Sequence, residues 1–205
     1  MRLLLTIVLL CLTAWVPAAG QPPDAKCSYD EEAMLALDEA AFDQSLPNGG
    51  WRAIGNIPGC EVAAAELIAA YRVRHPAASS TVAWHEGQMW AAAGLHERAI
   101  PALESARKDP ALDPAGWNHY VDATIAFLAG DREALEQARD RLAAVPFDDT
   151  AGLPPLVDGF IELPTRAGQP PLRMRWPPNI EVVDGLLNCF GRPYNDAYDM
   201  ACRPD

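Results

Sequence analysis

His85 and Glu86, in the run Trp84-His85-Glu86-Gly87-Gln88, with His96 and Glu97 close by, are the first candidates for chemistry in this chain. A zinc protease helix carries two histidines four residues apart, with a glutamate beside the first. Here the fourth residue past His85 is Met89, so that motif is not met. On a helix, His85 and Glu86 also project about 100 degrees apart, so they cannot meet one ligand from one face. The pair therefore reads as solvent-facing or capping. His119 and Asp122, three apart, can share a helix face as a histidine-carboxylate pair, but hydrolysis would also need a nucleophile. The sequence has no Gly-x-Ser-x-Gly elbow, no phosphate-cradling glycine loop and no setting for a catalytic cysteine. An envelope hydrolase or metal-dependent enzyme using His85, His96 or His119 is thus the alternative reading. No catalytic residue, metal or cofactor is expected.

The elements that position these residues follow from hydrophobic spacing. Ser80 to Asp113 carries two apolar periodicities of helical spacing, broken at Gly94 and closed by Pro110, which predicts an antiparallel helical hairpin. Asp113 and Pro114 announce a further helix on which Trp117, Tyr120, Val121, Thr124, Ile125 and Leu128 fall on one face. Gly130-Asp131 is its turn. A partner helix over 132–144 follows, with Ala134, Leu135, Ala138 and Leu142 inward.

Residues 80–113 resemble one tetratricopeptide repeat, on Gly87, Trp90, Gly94, Ala99, Leu103, Ala106 and Pro110. Residues 114–145 resemble a second in part, with Thr124 where a large aromatic is usual and Arg141 in place of a small residue; residues 28–76 do so loosely. The resemblance implies an all-α fold, a short α-α superhelix of helical hairpins, and a protein- or peptide-binding scaffold. It further implies that the first helix of each hairpin lines a concave face. Trp90 and Trp117 then become packing residues, and His85, Gln88, Asn118, His119 and Asp122 become the candidate ligand contacts.

The compartment is written at the beginning of the chain. Arg2 precedes an apolar run from Leu3 to Leu12, and Ala18-Ala19-Gly20 offers small residues at a cleavage site, so residues 1–20 read as a secretory signal peptide. Cys11 follows Leu9-Leu10, which is not a lipobox. The formal net charge of -12 disfavours nucleic acid and anionic membrane surfaces as partners. After processing, Cys27, Cys60, Cys189 and Cys202 remain. An even number in an exported chain points to two disulfides; four cysteines permit three pairings, of which Cys27 with Cys60 and Cys189 with Cys202 is favoured because each pair brackets one compact segment. The expected location is periplasmic or secreted. The Ala, Pro and Arg usage is compatible with a bacterium of high GC content.

Three units result: a signal peptide at 1–20, a helical hairpin domain at 21–145 and a proline-rich segment at 146–205. Within the second, Ser28 and Glu31 make a capping box for a helix with Met34, Leu37, Ala41 and Phe42 on one face, ending near Ser45. A helical turn over 51–57 and a helix over 60–74, with Val62, Leu67, Ile68 and Tyr71 inward, follow. Eight of the 19 prolines lie between Val145 and Pro178, which predicts an extended, ordered wrap with at most a helical turn over 156–161. A last short helix is expected over 180–190, with Cys202 pinning the tail back.

Overall fold

A computed structural model describes residues 25–45, 48–149, 152–165 and 169–204. The signal peptide expected at 1–20 and residues 21–24 lie outside the described residues. The fold is predominantly helical, with consecutive helices packed on one another, and it includes a small two-stranded sheet.

Where the periodicity predicts one helix, the chain forms two, α1 (Glu31–Leu35) and α2 (Glu39–Asp43). Each has its own aspartate cap: Asp30 accepts from the backbone N–H of Ala33 at 3.1 Å, and Asp38 from that of Ala41 at 2.8 Å. Ser28, the expected cap, instead donates its hydroxyl to the Ala25 carbonyl. The break is held by the next long helix. The Tyr71 hydroxyl donates to the Leu37 carbonyl at 3.0 Å and the His75 ring to that of Leu35 at 2.8 Å, occupying two acceptors that a continuous helix would have used itself. Ring stacking of Phe42 on Tyr71 closes the contact.

After α3 (Arg52–Gly55) comes α4 (Glu61–Arg74), and the expected Cys27–Cys60 disulfide ties the segment before α1 to its start. Ala64, Leu67, Ile68 and Tyr71 are inward, whereas Val62, expected in the core, faces outward because the buried stripe falls on the positions of Ala64 and Ala65. The predicted hairpin is present as α5 (Ser80–Ala92) and α6 (His96–Glu104), turning at Gly94 with a φ of 73°. Trp90, Ala99, Leu103 and Ala106 are all buried in it. Next are α7 (Trp117–Ala129) and α8 (Arg132–Ala143). The expected start at Asp113-Pro114 is displaced by a turn, since Gly116 adopts a left-handed φ of 77° before the helix begins. Asp113 still caps it, accepting from the N–H groups of Trp117 and Asn118 at 2.7 Å each.

The proline-rich segment departs most from expectation. No helical turn forms at 156–161; instead β1 (Phe160–Leu163) pairs antiparallel with β2 (Leu172–Arg175), with Ile161 opposite Met174 and Glu162 opposite Arg173. Alternation puts Ile161, fully buried, on one face with Leu163, Leu172 and Met174, and Phe160, Glu162, Arg173 and Arg175 on the other. Trp176 anchors the hairpin by donating to the Val145 carbonyl at 3.2 Å, its ring edge-on to Phe147. The chain ends on α9 (Ile180–Asn188), packed on α7 and α8, and α10 (Tyr194–Tyr198), packed on α5 and α9. The expected Cys189–Cys202 disulfide closes the loop that carries α10. Two apolar cores result, one around α1 to α4 and one spanning α5 to α10, with Met89 touching both. Among the described residues, no helix is long and apolar enough to cross a membrane.

Candidate functional site

His85 and Glu86 are not a solvent-facing pair. His85 points from α5 to Asp43 at the end of α2, a carboxylate with no exposed surface, and its Nδ1 lies 2.6 Å from Asp43 Oδ1. The same oxygen accepts from Trp51 Nε1 at 2.8 Å, Gln44 donates to the other oxygen, and Arg52 donates to the Asp43 carbonyl while its guanidinium stacks on Trp51. Burial opposes the charge on Asp43. The hydrogen bond and charge of His85, the Trp51 N–H and the Arg52 guanidinium outweigh it and hold the carboxyl below its ordinary value. The far nitrogen of His85, Nε2, faces Arg52 Nη2 at 3.4 Å, so both ring nitrogens are engaged and neither is offered to a substrate.

Glu86 turns the other way and is buried. Arg72 of α4 pairs with it, Trp90 Nε1 donates to it at 3.2 Å, and the remaining arm of Arg72 reaches the Ser105 hydroxyl at 2.8 Å. These bonds staple α4, α5 and α6 together. His96 donates from Nδ1 to the Leu128 carbonyl at 3.0 Å. Among the described residues there is no group of three or more His, Cys, Asp or Glu side chains placed to hold a metal ion.

The residues expected to share a concave face fall into separate neighbourhoods. Gln88 donates to the Tyr194 hydroxyl of α10 at 3.3 Å. Asn118 clamps the backbone of Lys108, donating to its carbonyl and accepting from its N–H at 2.9 Å each. Asp122 lies between Arg107 at 2.8 Å and Arg141 at 3.3 Å, with His119 Nδ1 4.0 Å away. Hydrogen bonds from Arg107 to Glu104 and Asp122 raise the guanidinium pKa above its already high value. Over the inner side of α5 and α7 sits the chain's own α10. The hydroxyls of Tyr120 and Tyr198 meet at 3.3 Å, and Trp84 packs on Tyr120 with ring centroids 4.5 Å apart. Burial pushes the phenols of Tyr120 and Tyr194 well up from their ordinary value. The sequence signal for this lid was the spacing of Tyr194 and Tyr198, four residues apart between two cysteines.

Free surface chemistry gathers instead on the hairpin. Leu153, Leu156, Val157 and Leu172 are exposed around it, Val157 by 60% and Leu172 by 56%. A cavity of about 580 Å³ runs over its outward face, between Pro154, Pro155 and Val157 on one side and Phe160, Glu162 and Arg173 on the other. A second of about 580 Å³ continues past Arg173 and Arg175 to Trp176 and Glu181. The guanidinium of Arg173 lies 3.8 Å over the Phe160 ring. Compared with known protein families, characterised proteins and solved structures, the chain matches none.

Proposed function

We propose that this chain is an exported, tetratricopeptide-like scaffold that binds a protein or peptide partner in the bacterial cell envelope, periplasmic or secreted, and that it works by binding rather than catalysis. Two disulfides favour an oxidising compartment. The hairpin fold between α5 and α6 carries the residues on which the repeat resemblance rests. The contact face of this reading is the β1–β2 hairpin and its flanks. The inner side of α5 and α7 already holds α10, and Gln88, Asn118 and Asp122 are engaged within the chain.

The observation that carries the proposal is the set of exposed apolar side chains, Leu153, Leu156 and Val157 on the segment leading into β1 and Leu172 at the start of β2, gathered about a strand pair whose Ile161 is fully buried and whose following Trp176 is tied to the Val145 carbonyl. Exposed apolar groups gathered on an anchored element are the mark of a surface meant to be covered. Cross-linked co-purification from the native envelope tests it, comparing the mature chain with Val157→Asp/Leu172→Asp and with Gln88→Ala/Asn118→Ala/Asp122→Ala. A defined partner should be lost with the first variant and kept by the second. Loss only with the second would move the interface back to the helices.

A further inference from the structure

Resting on that reading of the hairpin, we infer that the outward face of β1–β2 is a two-fold contact between two copies of this chain, with Glu162 and Arg173 exchanged across it. A contact of this symmetry needs a surface that presents both halves of each interaction, because residue i meets j and j meets i. Glu162 and Arg173 meet that requirement. They stand directly opposite one another in the strand register, and both are exposed. Among the described residues neither has an ion pair: the guanidinium of Arg173 is drawn over Phe160 and not onto Glu162. A guanidinium whose central carbon lies 3.8 Å over a ring still has N–H donors to offer a carboxylate of a second molecule. A second copy turned by 180° places each Arg173 edge at the other copy's Glu162.

The surroundings favour a copy of the same chain as the occupant. The chain carries a net charge of -12, so most approaches of one copy to another are repulsive. Over this face two cations, Arg173 and Arg175, the latter also 3.8 Å from Asp184, stand among Asp158, Glu162 and Glu181, so the local excess of negative charge is small beside that of the whole chain. It is a place where two acidic molecules can touch at little electrostatic penalty. Pro154, Pro155, Val157 and Phe160 supply apolar area beside the charge pair, and the adjoining cavity gives room for side chains of the opposite copy. An anionic lipid surface would find three carboxylates among its contacts, and an acidic peptide would meet the same repulsion.

Sedimentation of the mature protein over a range of concentrations tests the inference through charge reversal. The wild type should show a reversible dimer. Glu162→Arg and Arg173→Glu, each alone, bring like charges together and should weaken the dimer at least about tenfold, as should Val157→Asp. An equimolar mixture of the two charge-reversal variants should recover dimer, since every crossing contact then joins opposite signs. These side chains are exposed, so far-ultraviolet spectra and melting of each variant should match the wild type, which separates lost contact from lost fold. A monomeric wild type, or a dimer indifferent to the single reversals, overturns the inference. If the wild type is monomeric yet Val157→Asp still releases a captured partner, the hairpin remains the interaction face and only its occupancy by a second copy falls.

Discussion

His85 Nδ1 lies 2.6 Å from Oδ1 of Asp43, joining α2 to α5 through a carboxylate that has no exposed surface. Removing the charge leaves His85, Trp51 and Arg52 arranged around nothing that can balance them. Asp43→Asn should therefore lower the unfolding free energy by about 3 kcal/mol in urea denaturation, the usual result of breaking a buried pair from one side. The pH dependence has a definite sign. The carboxyl titrates lower in the folded chain than its ordinary 3.8, so its contribution is complete above that value and is lost as pH falls from about 4 through the folded value. Stability of Asp43→Asn should fall less steeply than wild type over that acid range, and equal slopes would show that the network is not coupled to the proton.

Gly87 and Gly94 should fail for different reasons. A Cβ at Gly87 would meet Leu103 Cγ at 2.5 Å and the Leu103 backbone nitrogen at 3.1 Å, so Gly87→Ala pries α5 from α6 and should cost about 1–3 kcal/mol. At Gly94 nothing lies within 4 Å, but the φ of 73° strains any other residue, by roughly 1–2 kcal/mol. Trimming the neighbour distinguishes them. In a double-mutant cycle, Leu103→Ala should absorb part of the Gly87→Ala penalty and none of that of Gly94→Ala.

Local patterns carried the parts of the fold that local physics decides. The turn at Gly94 and the helices α4 to α9 were legible because period and caps lie within a few residues of what they control, and of the three pairings that four cysteines permit the structure has the favoured one, in which each pair brackets one segment. The break between α1 and α2 was not, since it depends on Tyr71 and His75 arriving from α4. The strands escaped for a similar reason: four residues each, rich in flanking proline, paired only through a register that joins Phe160 to Arg175. The candidate contact residues were placed by helical phase alone. Phase put Gln88 and Asp122 on the first helices of two hairpins, but could not reveal that α10 would cover one and that Arg107 and Arg141 would hold the other.

Two glutamates on neighbouring helices offer a contrast in burial. Glu86 accepts from Trp90 and pairs with Arg72 at 12% side-chain exposure, whereas Glu66 faces Arg98 at 3.8 Å with both side chains more than half exposed. Glu86→Ala should destabilise by about 3 kcal/mol and Glu66→Ala by less than about 1 kcal/mol, because water screens the second pair and already solvates its ions. Thermal melts in low and high salt check both halves. Only the small Glu66 effect should fade with added salt.

A helix of five residues such as α10 cannot hold its form alone, because nucleation is unfavourable at that length. It persists because the Cys189–Cys202 bond fixes both ends of its loop and because Tyr194 and Tyr198 reach Gln88 and Tyr120. Cys189→Ser/Cys202→Ser should therefore lower stability by about 3 kcal/mol and, more specifically, let the amides of 194–198 exchange with solvent far faster than those of α5. The phenols give a second readout. Burial, reinforced by the neighbouring Tyr198, raises the Tyr194 pKa above its ordinary 10.0, so the folded chain keeps a proton that the unfolded chain releases. The resulting stability is complete below about pH 10 and is lost as pH rises beyond it. Opening the loop should return the Tyr194 titration toward its ordinary value in an ultraviolet pH titration. If amide protection and phenol titration both stay unchanged, tyrosine packing alone holds α10 in place and the disulfide contributes only to global stability.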